Sequence, residues 1–242
     1  MSLKQAEILG VNVNSLTMVQ AVEKVQQFID ERKNALVATA NAEMLMRATQ
    51  DEELKHILNS ADLVVPDGAG TVWAANYLGV EMPERVAGYD LAQELMQEAP
   101  GRGDRIYFFG SAPGVAESAR EKAMELYPGI KIVGTRNGFF SEADEPEIIA
   151  EIKAARPDIL LAALGVPKQE KWLYKYRQEL QVPVAIGVGG TLDVMAGVMQ
   201  RAPLWMQKAK LEWLFRGLKQ PSRAGRLLAL PKFVMKVMAS KK

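Results

Sequence analysis

The hydrophobic residues of this chain fall into two kinds of pattern that alternate along most of its length. Short, nearly all-apolar runs are typical of strands covered on both faces, and apolar residues every three or four positions are typical of helices. The runs predict strands at Ile8–Val13, Ala35–Thr39, Leu63–Val65, Arg105–Gly110, Ile130–Thr135, Ile159–Leu164 and Val184–Val188. The helical spacing predicts helices at Met18–Arg32, Ala42–Ser60, Gly68–Leu78, Tyr89–Glu98, Val115–Tyr127, Pro146–Ala155 and Lys168–Glu179.

This alternation predicts an α/β fold, a Rossmann-like and mainly parallel sheet that is covered by helices. Ligands of such sheets bind beyond the carboxyl ends of the strands, so the residues that follow each strand are the first candidates for a site. Small and polar residues follow six of the strands, at Thr39–Glu43, Pro66–Gly70, Gly110–Gly114, Asn137–Phe140, Gly165–Lys171 and Gly189–Asp193. Glycines there would let a ligand approach the backbone, and helix N-termini would offer N–H groups to a phosphate.

Composition excludes several other classes of protein. Of the 242 residues, 48% are apolar, which is enough for a large core without covalent cross-links. The chain has no cysteine, so a disulfide framework and a thiolate metal site are excluded. No apolar run reaches 18 residues, and Met1–Gly10 lacks the apolar segment of a secretory signal. These features fit a cytoplasmic protein.

Charge is distributed unevenly along the chain. Residues 201–242 contain eleven Lys or Arg and one acid, whereas residues 1–200 contain 19 basic and 28 acidic side chains. We therefore predict an α/β catalytic domain at residues 1–200 and a basic, amphipathic, helical appendage at residues 201–242. Such an appendage can be a packed surface helix, a nucleic-acid-binding patch or a membrane-surface anchor, and its pattern alone leaves all three open.

Several of these motifs also have simpler interpretations. Asn41 could be only the N-cap of a helix rather than a functional residue, and Pro66–Gly68 could be only a turn. Gly187–Gly190 resembles a dinucleotide-binding loop, but Leu192 stands where the last glycine of that fingerprint belongs. The sequence therefore disfavours an oxidoreductase.

Candidate metal ligands are few. His56 is the only histidine, and we predict that it lies on the surface of a helix. Glu142–Asp144 is followed by Glu145, Pro146 and Glu147, a pattern that predicts a charged helix start rather than a metal site.

Seven motifs occur in one order along residues 3–219. They are Thr39-Ala-Asn41-Ala-Glu43, Pro66-Asp67-Gly68 before Val72-Trp73, Arg85-Val-Ala-Gly88-Tyr89-Asp90, Phe108-Phe-Gly-Ser111, Gly165-Val-Pro-Lys168-Gln169-Glu170-Lys171-Trp172, Gly187-Val-Gly-Gly190-Thr-Leu-Asp193 and Gln200-Arg201-Ala-Pro203. One such motif is weak, but seven in register are specific. In these motifs the chain resembles the WecG/TagA/CpsF glycosyltransferase family, and within it the branch that acts in wall teichoic acid synthesis.

The resemblance implies an inverting transfer of N-acetylmannosamine from UDP-N-acetylmannosamine (UDP-ManNAc) to undecaprenyl-diphosphate-linked N-acetylglucosamine (GlcNAc), which forms a β-1,4-linked lipid disaccharide. It implies no cofactor and no bound metal ion. A polyprenyl acceptor favours the membrane-anchor interpretation of the appendage, because the cytoplasmic leaflet is anionic. We therefore expect a cytoplasmic protein at the inner face of the membrane that binds no nucleic acid. Exposed apolar surface on the appendage would also permit a homo-oligomer.

Inversion by a single displacement needs one general base, and Asp67 is our prediction because a turn after a buried strand can aim a carboxylate into a cleft. Thr39, Asn41 and Arg85 complete the predicted catalytic group, with Arg85 as a cation for the departing diphosphate. Asp193 suits a ribose hydroxyl. The predicted substrate-binding residues are Gln169, Gly110, Asn137, Gly189, Gly190, Asp193, Arg216, Arg223 and Arg226.

Two other functions stay open from the sequence. One is a non-catalytic, nucleotide-binding regulator, which would not need the Asp67 carboxylate at its turn. The other is the same class of enzyme with UDP-ManNAc uronic acid as the donor, which would want an additional cation.

Overall fold

The computed structural model describes residues 3–203, 205–206, 212, 214–215 and 229–241. The strands are β1 (Gln5–Ile8), β2 (Val11–Asn14), β3 (Ala35–Ala40), β4 (Leu63–Pro66), β5 (Arg105–Gly110), β6 (Lys131–Arg136), β7 (Ile159–Ala163) and β8 (Val184–Gly187). The helices are α1 (Met18–Asp30), α2 (Ala42–Ala48), α3 (Glu52–Ser60), α4 (Ala69–Tyr77), α5 (Gly88–Arg102), α6 (Val115–Leu126), α7 (Glu145–Ala155), α8 (Lys168–Leu180), α9 (Thr191–Met195) and α10 (Ala229–Ser240). The predicted tail arginines Arg216, Arg223 and Arg226 lie outside the described residues.

Six strands form one parallel sheet in the order β4-β3-β8-β7-β5-β6. The residues of β3, β4, β7 and β8 are all buried, as in a sheet that is covered on both faces. Val37 and Leu161 pack with α1, α5, α6 and α9 on one face, whereas Leu36 and Leu160 pack with α3, α7 and α8 on the other. The predicted α/β fold with a parallel sheet is confirmed.

At four places in the sheet, neighbouring strands send their following helices to opposite faces, and two of these places serve as examples. The β3–β8 pair is followed by α2 on one face and α9 on the other, and the β5–β7 pair by α6 and α8. Such switch points open a crevice at the carboxyl edge of a parallel sheet, where ligands bind. The topology therefore favours a site at the edge that the sequence singled out.

The single strand predicted at Ile8–Val13 is wrong, because the chain forms a hairpin there. Ile8 pairs with Val11 across a tight turn at Leu9 and Gly10, whose φ angles are 52° and 84°. The pattern hid this turn because leucine rarely adopts a positive φ. The hairpin packs beside β4, where Asn14 Oδ1 accepts the N–H of Val64 at 2.9 Å.

The single helix predicted at Ala42–Ser60 is also wrong, because it is two helices. Helix α2 ends at Ala48, and Asp51 is the N-cap of α3, where its side chain accepts the N–H of Leu54 at 3.0 Å. The apolar spacing runs through this break because Leu45, Ala48 and Leu54 all pack into one cluster.

Helix α10 confirms a helical C-terminal segment and packs on the body of the protein. Phe233 and Val237 are fully buried in the cluster that contains α2 and α4, while Met235 and Met238 on the outer side are more than half exposed. Pro231 lies in the first turn, where proline is tolerated. Among the described helices, none is both long enough and apolar enough to cross a membrane.

Candidate active site

The carboxyl edge of the sheet brings most of the predicted site residues into one row. The carboxyl ends of β4, β3, β8, β7, β5 and β6 follow one another across the sheet. At or just after them lie, in the same order, Asp67, Asn41, Gly189, Gln169, Gly110 and Asn137. Neighbouring strands lie ~4.8 Å apart, so the two outer loops are separated by roughly 24 Å. A ligand set that reaches both ends must therefore be elongated.

Asp67 lies in the first of these loops, half-buried between β4 and α4. The N–H of Asp67 donates to the carbonyl of Ala40 at 3.0 Å, and the carbonyl of Asp67 accepts the hydroxyl of Thr71 at 3.1 Å. Gly68 follows with a φ of 88°, which favours glycine, and caps α4. A turn held at its backbone on both sides fixes the direction in which Asp67 leaves the chain. The turn is confirmed, and the role of Asp67 as general base stays a prediction.

Asn41 lies directly beside that turn, since a side chain on Gly68 would meet Asn41 Cβ at 3.9 Å. Asn41 Oδ1 accepts the N–H of Met44 at 3.0 Å, which confirms the N-cap interpretation. Its amide nitrogen is the donor that a ligand could use. Thr39 is buried, and its hydroxyl donates to the carbonyl of Gly187 at 2.9 Å, which joins β3 to β8. The substrate contacts of Asn41 and Thr39 stay predictions.

Gln169 lies near the middle of the row, at the start of α8, and is only 1% exposed. Its Oε1 accepts the N–H of Gly165 at 3.1 Å and that of Gly189 at 3.2 Å, while its Nε2 donates to Glu170 Oε1 at 2.7 Å. Burial raises the pKa of Glu170 to about 7. The amide of Gln169 therefore joins two site loops from beneath, and its predicted contact with a sugar stays a prediction.

The predicted glycines serve different purposes. A side chain on Gly110, which has a φ of 134°, would overlap the carbonyl of Ala163, so close strand packing explains this glycine. Gly189, by contrast, has a φ of 54°, and no atom lies within 4 Å of the place that a methyl group on it would take. At Gly190 the nearest atom, Asp193 Oδ2, would be 3.7 Å away. Gly189 therefore leaves open space in which a ligand could approach the backbone, whereas a methyl group on Gly190 would be in ordinary van der Waals contact with Asp193 and Met199.

The far side of the row is organised around Ser111. Ser111 Oγ donates to Asp193 Oδ2 at 3.2 Å, and the Ser111 carbonyl accepts the N–H of Gly138 at 2.8 Å. Asn137 Oδ1 accepts the N–H of Phe139 at 2.9 Å, and the Phe139 side chain is 74% exposed. The structure thus brings the loops that carry Asp193 and Asn137 to the same residue.

Arg85 is part of a network of two cations and two carboxylates. Its Nη2 is 3.2 Å from Asp90 Oδ2, and its Nη1 pairs with Glu212. Arg201 binds the same two acids, with Nη1 2.6 Å from Asp90 Oδ1 and Nε 3.3 Å from Glu212 Oε1. A guanidinium has five N–H donors and these two contacts use two of them, so a diphosphate could share Arg85 with the carboxylates or replace one of them.

The predicted surface position of His56 and the predicted helix start at Glu142–Asp144 are confirmed. His56 is exposed, and its Nε2 lies 3.1 Å from the hydroxyl of Tyr174. Glu142–Asp144 forms a short 3-10 turn that leads into α7. Within the described part of the chain, no group of three or more His, Cys, Asp and Glu residues could hold a metal ion. A reaction without a bound metal stays a prediction.

Sequence reasoning did not select Ser111, Glu170, Asp90 or Arg201 as site residues. Each of them stands inside one of the seven motifs, which was the signal available. Their partners lie far away along the chain: Ser111 and Asp193 are separated by 82 positions, and Asp90 and Arg201 by 111. Such pairings depend on the order of the strands.

Comparison with known proteins agrees with the motifs. The chain is 37% identical over 211 residues to a Bacillus spizizenii protein named N-acetylglucosaminyldiphosphoundecaprenol N-acetyl-beta-D-mannosaminyltransferase, covering 87% of this chain and 81% of the relative. Proteins of that name from Bacillus subtilis and Staphylococcus aureus are 34% and 32% identical. They are matched over 96% and 98% of this chain, and over 89% and 94% of their own lengths.

The model of the family described as "Glycosyl transferase WecG/TagA/CpsF family" matches residues 6–242, which is nearly the whole chain. The chain therefore belongs to the WecG/TagA/CpsF family of glycosyltransferases.

Proposed function

We propose that this glycosyltransferase transfers N-acetylmannosamine from UDP-ManNAc to undecaprenyl-diphosphate-linked GlcNAc with inversion. The product is the β-1,4-linked lipid disaccharide for wall teichoic acid or a related cell-surface polymer. One observation carries the proposal: three relatives named N-acetylglucosaminyldiphosphoundecaprenol N-acetyl-beta-D-mannosaminyltransferase are 32% to 37% identical to the chain, each over 81% or more of its own length. The reaction as proposed uses no cofactor.

The layout of the carboxyl edge supports a donor that consists of a nucleoside, a diphosphate and a sugar. Asp193, which accepts from Ser111 Oγ, and Asn137, whose neighbour Gly138 donates to the Ser111 carbonyl, are suited to the nucleoside end. The open space at Gly189 suits the diphosphate, because an exposed backbone can be approached closely there. Asn41 and Asp67, on the other side of the row, are then left for the transferred sugar and the acceptor.

In the proposed reaction, Asp67 takes the proton from the acceptor's O4 hydroxyl while that oxygen attacks the anomeric carbon of the donor sugar. The bond from the anomeric carbon to the diphosphate oxygen breaks, and UDP leaves from the opposite side. A single displacement of this kind inverts the anomeric centre. The half-buried position of Asp67, on a turn held by Ala40 and Thr71, supports this role because a general base must be placed accurately.

The departing UDP carries a growing negative charge, which cations must stabilise. We propose Arg85 and the tail arginines Arg216, Arg223 and Arg226 for this task. The network around Arg85 supports an exchange of partners, because the diphosphate is an anion that can take the place of Glu212 on the guanidinium.

We further propose that residues 201–242 form an appendage that rests on the anionic inner face of the cell membrane, where the lipid-linked acceptor lies. Lys232 and Lys236 on α10 are exposed, as is Lys241 directly after it, and Met235 and Met238 expose apolar surface on the same helix. Basic and apolar side chains together are what an interfacial helix requires.

UDP release from UDP-ManNAc, with a short-chain lipid-diphosphate GlcNAc as acceptor and EDTA in the buffer, tests the reaction. Wild type should release UDP only when the acceptor is present, and Asp67→Asn should lower the rate by roughly a hundredfold or more, as expected for loss of a general base. Asp30→Asn is a matched control, because Asp30 is an exposed carboxylate at the end of α1, before the amino end of β3.

Three outcomes would change the proposal. Release from the uronic acid donor but not from UDP-ManNAc would move the enzyme to the other donor. Loss of activity in EDTA that Mg²⁺ restores would show a metal requirement. No release with either donor, in the presence of membranes and the full-length chain, would point to the nucleotide-binding regulator.

A further inference from the structure

Glu170 is a carboxylate buried beneath the middle of the site edge, and the transfer chemistry gives it no task. It is 2% exposed, and its Oε1 accepts a hydrogen bond from Gln169 Nε2 at 2.7 Å. Its Oε2 has no hydrogen-bond partner within the described residues. Burial raises its pKa to about 7, and the hydrogen bond from Gln169 opposes that effect, as does the nearby charge of Arg47. A polar atom left unsatisfied at this depth costs free energy, so packing alone does not explain a glutamate here.

The contact with Glu170 decides which way round the amide of Gln169 points. Gln169 Oε1 accepts from two backbone donors, the N–H groups of Gly165 and Gly189. If the amide were reversed, its NH2 group would face both of these donors and no acceptor. Glu170 Oε1 is an acceptor for Gln169 when the carboxyl is ionised and also when the proton is on Oε2, so Glu170 favours the orientation in which Nε2 faces it and Oε1 faces the two loops.

The same contact is packed tightly against β8. A side chain on Gly187 would come within 2.6 Å of Gln169 Nε2 and 3.0 Å of Glu170 Oε1. The carbonyl of Gly187 in turn accepts the hydroxyl of Thr39. The loops after β7 and β8 are thereby tied to each other and to the end of β3.

We propose that Glu170 is a positioning residue for the transfer reaction: it holds the Gln169 amide in the orientation that clamps the Gly165 and Gly189 loops together beneath the donor. The identity of that donor depends on the proposed function, whereas the clamp itself does not. Glu170 touches neither substrate, and it acts through Gln169.

Amide hydrogen exchange at Gly165 and Gly189, measured by NMR on the full chain, tests the clamp without any substrate. Glu170→Met removes the acceptor at nearly the same volume, and both amides should exchange roughly tenfold faster, as expected for the loss of one hydrogen bond. Glu170→Gln can turn its carbonyl oxygen toward Gln169 Nε2, so it should keep exchange close to that of wild type. The amides of Leu160 and Leu161 in β7 report whether any change is local.

Steady-state kinetics supply the second readout. Glu170→Met should raise the KM for the donor, and Glu170→Gln should restore it, whereas a purely structural residue would show no such rescue. Glu145→Met is a matched control, because Glu145 is another buried carboxylate, and it accepts from Lys175 farther along α8 rather than from Gln169. It should leave exchange at Gly165 and Gly189 unchanged.

The clamp would be refuted if Glu170→Met left both amides as protected as in wild type, or if the Gln and Met variants were equally impaired. Should the Met variant not fold, Glu170→Asp withdraws the acceptor by one methylene and must then speed exchange at the same two amides. Exchange that follows the expectation, in a protein that does not use UDP-ManNAc, would overturn the donor assignment and leave the clamp standing.

Discussion

Arg201 binds Asp90 with both arms of its guanidinium, with Nη1 2.6 Å from Oδ1 and Nη2 2.9 Å from Oδ2. The same guanidinium lies over the ring of Tyr89, 4.6 Å from its centroid. Arg201 is the first residue of the predicted appendage, and Asp90 belongs to α5 in the predicted catalytic domain. Fixed, two-pronged bonds of this kind are stronger than simple ion pairs. The start of the C-terminal segment is therefore attached to the body beside Arg85.

Arg201→Lys should lower the free energy of unfolding although it keeps the charge. Lysine can neither bind a carboxylate with two parallel bonds nor stack on Tyr89, so we expect a loss of about 1–2 kcal/mol in urea denaturation. Arg120→Lys, at an exposed position on α6, should change the stability by less than about 0.5 kcal/mol. If combining Arg201→Lys with Asp90→Asn gave strictly additive losses, the two residues would not be coupled.

Phe233→Ala should detach α10 from the body. The ring is fully buried among side chains of α2 and α4, and deleting a buried phenylalanine costs about 3–5 kcal/mol. Met235→Ala, two positions away and 62% exposed, is the control and should cost little. Urea denaturation would report both values, and limited proteolysis should cut the Phe233→Ala chain within α10 first. Equal stability of the two variants would contradict the described packing.

Two glycine substitutions should change the stability of the protein in opposite directions. Gly110→Ala introduces a methyl group that overlaps the Ala163 carbonyl at a φ of 134°, so it should destabilise the protein by about 2 kcal/mol or more. Gly101 lies in α5 with open space around it, and Gly101→Ala should stabilise the protein by about 0.5–1 kcal/mol. Thermal unfolding distinguishes the two, and a stable Gly110→Ala protein would argue against the close β5–β7 contact.

Glu170 should make stability depend on pH. Its pKa is raised from 4.5 to about 7 in the folded protein, so the native state binds more protons than the unfolded state between these values. Stability contributed by this group is therefore complete below about pH 4.5 and falls as the pH rises through about 7. Glu170→Gln removes this dependence, and its advantage over wild type should grow by up to about 3 kcal/mol from pH 4 to pH 8. Parallel stability curves for the two proteins would show that Glu170 ionises normally.

Membrane binding should depend on the lysines of the C-terminal segment. Replacing Lys232, Lys236 and Lys241 by Gln should weaken binding to vesicles that contain anionic phospholipid by about 1 kcal/mol per charge. Binding to uncharged phosphatidylcholine vesicles should change little, and added salt should reduce the difference. A triple variant at Lys24, Lys122 and Lys153, on the helices of the body, is the control. Equal vesicle binding by the two triple variants would remove the membrane role of α10.

The pattern of apolar residues was sufficient to predict the α/β class and the six strands of the parallel sheet. It was sufficient because strands and helices bury side chains with different local periods. It failed at Leu9, where a turn needs an unusual φ for leucine, and at Asp51, where two helices share one apolar face. At both positions the backbone changes direction between two elements, and the spacing of apolar residues does not encode such a change.

By itself, the sequence determined the fold class, the edge of the sheet that carries the polar motifs, and the family to which those motifs belong. Only the tertiary structure decided which groups meet: Gln169 with Gly189 and Glu170, Thr39 with Gly187 across 148 positions, and Arg85 with Glu212. The physical reason is that hydrogen bonds and ion pairs act over about 3 Å, and the strand order determines which distant loops come that close.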